Sequence, residues 1–194
     1  MYIQGFFKNA QTYSCDIYDV DGYKRSTENV HLTRQGIANN DFAQTHKYKG
    51  LLAQDTLMQS GDLVVYGVYT YLVTAVRKTD FANQANLWLC DSTCSIYRLE
   101  NKYVGTQPSG KKLTTITTDI KCVQQDTNGR IKTFDAGLLE STIKRVYMQY
   151  RANVKLLDRM TINNKNYQID SIDDSSINNV MCVQLSDDKR VISG

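Results

Sequence analysis

Residues 61–76 of this chain read GDLVVYGVYTYLVTAV, and residues 157–172 read LDRMTINNKNYQIDSI. In one gapless alignment Asp62 falls on Asp158, Gly67 on Asn163 and Tyr71 on Tyr167. Val64, Tyr66, Val73 and Val76 fall on Met160, Ile162, Ile169 and Ile172. Each copy has an Asp, a short apolar run, a Gly or Asn turn and a second apolar run. That order is the signature of a tight β-hairpin. An echo of this kind predicts one small β-domain used twice.

The remaining segments fit the same plan. A polar loop and a closing strand follow each hairpin, at residues 77–97 and 173–185. An earlier hairpin is marked by Asp21-Gly22 between short alternating runs. Its expected counterpart surrounds Asn128-Gly129, which would make Cys15 equivalent to Cys122. Between the hairpins lie polar stretches, 26–60 and 133–157. A short helix over 40–57 fits the first. In the second, Leu138, Leu139, Ile143, Val146 and Tyr147 fit a helix face, while 144–154 also alternates as an extended strand. Pro108, the single proline, sits among Gly105, Ser109 and Gly110, which reads as a linker over 101–112. The expected fold is therefore all-β: two small barrel-like modules in tandem, 1–100 and 113–194, with room for a short helix between hairpins. Closure would hide strand edges that otherwise pair indiscriminately.

Composition narrows the function classes. The 194 residues are 41% hydrophobic and 22% charged, ordinary for a globular chain, and each half alone is small. Tyrosine, at 13 residues against 5 Phe and 1 Trp, suits half-buried strand faces and interfaces. A net charge of +3 is a weak basis for nucleic-acid binding. No apolar run is long enough for a membrane-spanning helix, and the first residues do not read as a signal peptide. The five cysteines are odd in number and read as small apolar strand residues; Cys90 and Cys94 lack a second pair at zinc-finger spacing.

No phosphate-binding glycine loop and no nucleophile elbow occurs, and the two histidines, His31 and His46, stand in polar surroundings. Asp170, Asp173, Asp174, Asp187 and Asp188 read as turn residues. No catalytic residue, metal site or cofactor is expected. Lys144, Arg145, Arg151, Lys155 and Arg159 form a basic cluster, with Lys47 and Lys49 a smaller one in the first copy. Tyr147 and Tyr150 interleave with the cluster, which keeps a nucleic-acid-binding small barrel open as the alternative.

The residues 157–174, with Asp158-Arg159 before one strand and Tyr167-Gln168-Ile169 in the next, resemble tailed-phage head–tail joining proteins, the head-completion or stopper group. Residues 59–97 resemble them more weakly. The resemblance implies a β-barrel that assembles as a ring of six or twelve subunits between the portal or adaptor ring and the tail. It also implies a virion protein assembled in the host cytoplasm, with packaged DNA in the channel and no membrane partner. By that analogy the inter-hairpin regions 26–57 and 133–154 are channel or docking loops, carried by His46, Lys47, Tyr48, Lys49, Lys144, Arg145, Tyr147, Tyr150 and Arg151. Asp62, Gly67, Tyr71, Asp158, Asn163 and Tyr167 are the strand and turn residues of the two hairpins. Members of that group have one barrel and this chain reads as two, which leaves open an adaptor, collar or other tail position.

Overall fold

The computed structural model describes residues 11–35, 46–127 and 137–190. The described residues are all-β and contain no helix. Strands β1 (Tyr13–Tyr18), β2 (Lys24–Arg34), β3 (Lys47–Leu52), β4 (Leu63–Tyr66), β5 (Tyr69–Arg77) and β6 (Asn83–Leu89) form one closed barrel, in the order β1-β2-β3-β6-β5-β4. Strands β7 (Ser92–Val104), β8 (Gln107–Asp126), β9 (Lys144–Gln149), β10 (Arg159–Ile162), β11 (Lys165–Ile177) and β12 (Val180–Asp187) form a second, in the order β10-β11-β12-β9-β8-β7. Antiparallel pairing of β1 with β4 seals the first ring, and that of β7 with β10 seals the second.

The period-2 pattern explains why these runs are strands. In β6, Asn83, Ala85 and Leu87 face inward while Gln84 and Asn86 face out. Cys15, Ile17, Val30, Leu52, Val73 and Leu87 fill the first interior. Ile96, Met148, Met160, Ile162, Ile169 and Leu185 are the corresponding buried side chains of the second barrel.

The echoed hairpins are β4–β5 and β10–β11. Tyr66 pairs with Tyr69 across Gly67-Val68, and Ile162 with Lys165 across Asn163-Asn164. Gly67, Asn163 and Asn164 all take positive φ, the conformation that two-residue hairpin turns require. Tyr71 and Tyr167 are buried early in β5 and β11.

Three expectations need correction. The stretch 101–112 is no linker: it is the end of the β7–β8 hairpin, where Val104 pairs with Gln107 across Gly105-Thr106. Glycine and proline chemistry marks turns as readily as linkers. The second barrel begins with β7, and the boundary between the two compact units falls between Cys90 and Asp91, with 148–150 and 174–181 counted in the first unit. The helices are absent among the described residues: 47–52 is β3 and 144–149 is β9, while 40–45 and 133–136 lie outside the described residues.

The match of Cys15 to Cys122 also fails. The counterpart of β1–β2 is β7–β8, because Ile17 sits opposite Val64 and Ile96 opposite Met160. Two residues before each isoleucine is a buried cysteine, Cys15 and Cys94. Cys122 pairs with Ser92 near the end of β8, and Asn128-Gly129 lies outside the described residues. Inward cysteines on period-2 strands give several equally good one-residue matches, so a single cysteine does not fix a register.

The loop before each echoed hairpin gives a test. Gly61 (φ +90) and Leu157 (φ +67) occupy aligned places. A Cβ on Gly61 would lie 2.3 Å from the Asn179 Cβ and 2.6 Å from its carbonyl oxygen, whereas Leu157 is an exposed side chain. Gly61→Ala is expected to lower stability by about 2 kcal/mol or more, since both φ and space forbid it. Leu157→Gly relieves strain and is expected to change stability by less than about 1 kcal/mol. Urea melts of both variants check the asymmetry; equal losses would contradict it.

Candidate interaction surfaces and the pinned loops

The two echoed aspartates are buried, with 1% and 2% exposure, and do the same work. Asp62 Oδ2 accepts the Gln59 N–H at 2.8 Å, and the Asp62 N–H donates to the Gln59 carbonyl at 3.2 Å. Asp158 Oδ2 accepts the Lys155 N–H at 2.8 Å, and the Asp158 N–H donates to the Lys155 carbonyl at 3.2 Å. Each loop is then tied to the far strand. The Gly61 N–H donates to the Val73 carbonyl and the Val73 N–H to the Asp62 carbonyl, as the Leu157 N–H does to the Ile169 carbonyl and the Ile169 N–H to the Asp158 carbonyl.

An arginine covers each carboxylate, from a different strand in each barrel. Arg25 of β2 donates once, Nη2 to Asp62 Oδ1 at 3.2 Å. Arg98 of β7 donates twice, Nε to Oδ1 and Nη2 to Oδ2 of Asp158, both at 2.8 Å. The bidentate fork is the stronger arrangement. Burial pushes the Asp62 carboxyl above the usual carboxylate range, partly offset by the Gln59 amide and Arg25. Neither arginine is singled out by the sequence, since Arg25 and Arg98 stand 37 and 60 residues from their aspartates.

The residues expected on channel loops lie mostly on strands. His46 precedes β3, and its carbonyl accepts the Leu89 N–H at 2.8 Å. Lys47 holds its ammonium 5.6 Å from the Trp88 ring centroid, a cation–π distance. Tyr48 meets Tyr71 edge-on at 5.1 Å, and Lys49 is exposed. With Tyr13 and Tyr66 (4.5 Å apart), these side chains gather at the end of the first barrel where β4 turns into β5. Val68 and Tyr69 at that turn are 91% and 51% exposed. Sequence reasoning named Lys47 and Tyr48 but did not connect them with Trp88 and Tyr13.

The basic cluster does not form one face. Lys144 is buried at the start of β9 and bonds Gln124 Oε1 at 2.9 Å and the Asp126 carboxylate. Arg159 is 4% exposed; its Nε donates to Asp188 Oδ2 at 2.6 Å and its Nη2 to the Arg190 carbonyl at 2.7 Å. Arg190 also grips Asp188, through Nε and Nη2. Arg145 and Tyr147 follow on β9, where burial and the neighbouring Cys182 push the Tyr147 phenol up to about 12. Tyr150 is exposed just beyond β9, Arg151 is half-buried and Lys155 is exposed. Five cations close in sequence thus divide among a buried pair at Arg159, a pair with an exposed carboxylate at Lys144, a strand and a loop. Among the described residues no three His, Cys, Asp or Glu side chains are grouped to hold a metal ion.

Neither a protein-family model nor a curated protein matches this sequence.

The Arg159–Asp188–Arg190 cluster is expected to make the second barrel lose stability in acid. Burial opposes ionisation of Asp188, but the two arginines hold its carboxyl well below the usual range. A depressed folded value gives stability that is fully present above the unfolded value, about 3.9, and is lost as pH falls through the folded one. Asp188→Ala leaves Arg159 buried without its carboxylate and is expected to cost about 3–5 kcal/mol at neutral pH. Asp188→Asn is expected to flatten the fall of stability with pH below about 4. Urea melts across pH check both; an unchanged acid limb in Asp188→Asn would contradict the assignment.

Proposed function

We propose that this chain is a structural, non-enzymatic virion protein of the tailed-phage head–tail connector, a stopper, head-completion or adaptor subunit. It forms a homo-oligomeric ring of six or twelve copies in the neck of the virion, joining the portal or adaptor ring to the tail and helping to retain packaged DNA. The observation that carries this reading is the build of the segment that bears the resemblance. Within 157–174, Asp158 pins a loop, β10 runs into a two-residue Asn turn and Tyr167 is buried early in β11. The same build recurs around Asp62, so each copy carries two such modules. A ring of six would then present twelve.

Further support comes from the way the polar groups are used. The buried carboxylates Asp62, Asp158 and Asp188 are engaged by arginines and loop amides that hold strands together. Closed barrels hide their edges, which suits a subunit that must pack beside identical copies without uncontrolled strand pairing. The reading also relocates the docking elements. Within the expected loops 26–57 and 133–154, the described residues 26–34, 47–52 and 144–149 are strand, whereas the hairpin β7–β8 continues past the pairing of β7 with β10, which covers Cys94 to Tyr97. The Tyr-rich end of the first barrel and this hairpin are the surfaces proposed to meet neighbouring subunits.

The test is native mass by light scattering over a concentration series, with negative-stain images of the large species. Closed rings of six or twelve chains are expected. A protein that stays small at every concentration and binds DNA with a steep salt dependence would replace the connector reading with the nucleic-acid one.

A further inference from the structure

The hairpin β7–β8 extends well past the second barrel wall. Strand β7 pairs with β10 only through Cys94, Ile96, Tyr97 and the serine between them. Strand β9 has six residues against the twenty of β8, and it joins β8 at the far end, where the Thr127 N–H meets the Ile143 carbonyl. Among the described residues, 99–104 and 107–114 are therefore a two-stranded ribbon, paired with each other as Leu99 with Leu113, Glu100 with Lys112 and Asn101 with Lys111. A two-stranded ribbon is marginal alone in water and gains stability from a third strand.

Its two outer edges differ. On β8, Pro108 has no N–H to offer, and the register shifts opposite Lys102 and Tyr103. On β7, the run Leu99-Glu100-Asn101-Lys102-Tyr103 contains no proline. Side chains alternate between faces: Leu99, Asn101 and Tyr103 on one, Glu100 and Lys102 on the other. Asn101, Lys102 and Tyr103 are exposed, Tyr103 at 58%.

This run is chemically self-complementary about Asn101. Laid antiparallel against a second copy with Asn101 opposite Asn101, Glu100 meets Lys102 of that copy and Lys102 meets its Glu100. On the other face Leu99 meets Tyr103 and Tyr103 meets Leu99. Opposite charges and an aromatic–aliphatic pair directly across from each other are the favourable cross-strand contacts. A slip of two residues one way sets Glu100 against Glu100; a slip the other way sets Lys102 against Lys102. Like charges directly opposite destabilise, so one register stands out.

We propose that the β7 edge, residues 99–103, is a self-association site at which a second copy of this chain adds antiparallel. The contact is isologous, so it is satisfied by two copies and does not propagate. It joins the two ribbons into a four-stranded sheet, with the Leu99–Tyr103 pairs on one face and the Glu100–Lys102 pairs on the other. Glu100 already accepts Thr114 Oγ1 at 2.7 Å and lies 3.4 Å from the Lys112 ammonium, which holds its carboxylate on that face. The site does not depend on the connector reading. In a ring of six made through other surfaces, it would pair two rings into a twelve.

The test is sedimentation velocity over a concentration series on wild type, Lys102→Glu, Glu100→Lys and an equimolar mixture of the two variants. Wild type is expected to associate through this edge. Each single variant sets like charges opposite each other twice, and its dissociation constant is expected to rise about tenfold or more. The mixture restores opposite charges at both positions, and its affinity is expected to return to near the wild-type value. The Lys102 side chain is exposed, so its variant should fold normally, as circular dichroism can verify; if Glu100→Lys disturbs the Thr114 contact, Lys102→Glu against wild type decides alone. Absence of self-association in wild type, single variants that associate as wild type does, or a mixture of folded variants that fails to recover would each overturn the proposal. Rings indifferent to Lys102→Glu would sink this contact and leave the connector reading intact, whereas Lys102-dependent dimers that never form rings would do the reverse.

Discussion

A buried aspartate that accepts the amide three residues before it is the contact on which each barrel depends. A carboxylate is costly to remove from water unless its lone pairs are met. At Asp62 and Asp158 they are met by a loop amide and by an arginine from another strand. One side chain therefore fixes the loop that leads into β4 or β10, sets the angle at which that strand enters, and ties it to a strand outside its own hairpin, β2 or β7. The backbone bonds of Val73 and Ile169 to the aspartate carbonyls then place the second strand of each hairpin. Once both strands of the hairpin are placed, the period-2 pattern carries the apolar side chains to the interior without further instruction.

The two barrels solve the same problem with different secondary contacts. The first uses aromatic rings, with Tyr48 against Tyr71 and Tyr13 against Tyr66 at one end. The second uses ion pairs, with Lys144 on Asp126 and Asp188 between Arg159 and Arg190. Burial of large tyrosines stabilises chiefly by removing apolar area from water. The buried Arg159–Asp188 pair adds little net stability but makes loss of one partner severe, whereas Asp126 is exposed and its pair with Lys144 lies at the surface. The first barrel should accordingly be insensitive to acid at that end, while the second answers to the protonation of one carboxylate.

Much of this was legible in the sequence. The echo around Asp62 and Asp158 located both hairpins, their turns and the tyrosines Tyr71 and Tyr167, because a tight turn and a buried strand start leave local marks. The arginines are hidden in the sequence because each salt bridge joins residues far apart along the chain, and because the two barrels draw theirs from different strands. Residues 101–112 of the ribbon read as a linker in the sequence, since Gly105, Pro108, Ser109 and Gly110 have the same local chemistry in a turn as in a linker; only pairing distinguishes them. The basic cluster misled for the converse reason. Lys144 and Arg159 are near in sequence, but each faces a carboxylate that the fold brings from elsewhere, Asp126 or Asp188. His46, Lys47, Tyr48 and Lys49 were expected on a loop because the surrounding stretch is polar, yet partners on both sides hold 47–52 in a strand.

The most direct measurement of the central claim is residue-resolved hydrogen exchange on Asp62→Ala and Asp158→Ala. The account expects Asp62→Ala to speed exchange first at the amides of Gly61 and Val73, and Asp158→Ala to speed it first at Leu157 and Ile169, by about tenfold or more in each case as the pinned loop opens. Unchanged protection at those four amides would show that the loops are held by something other than the buried carboxylates.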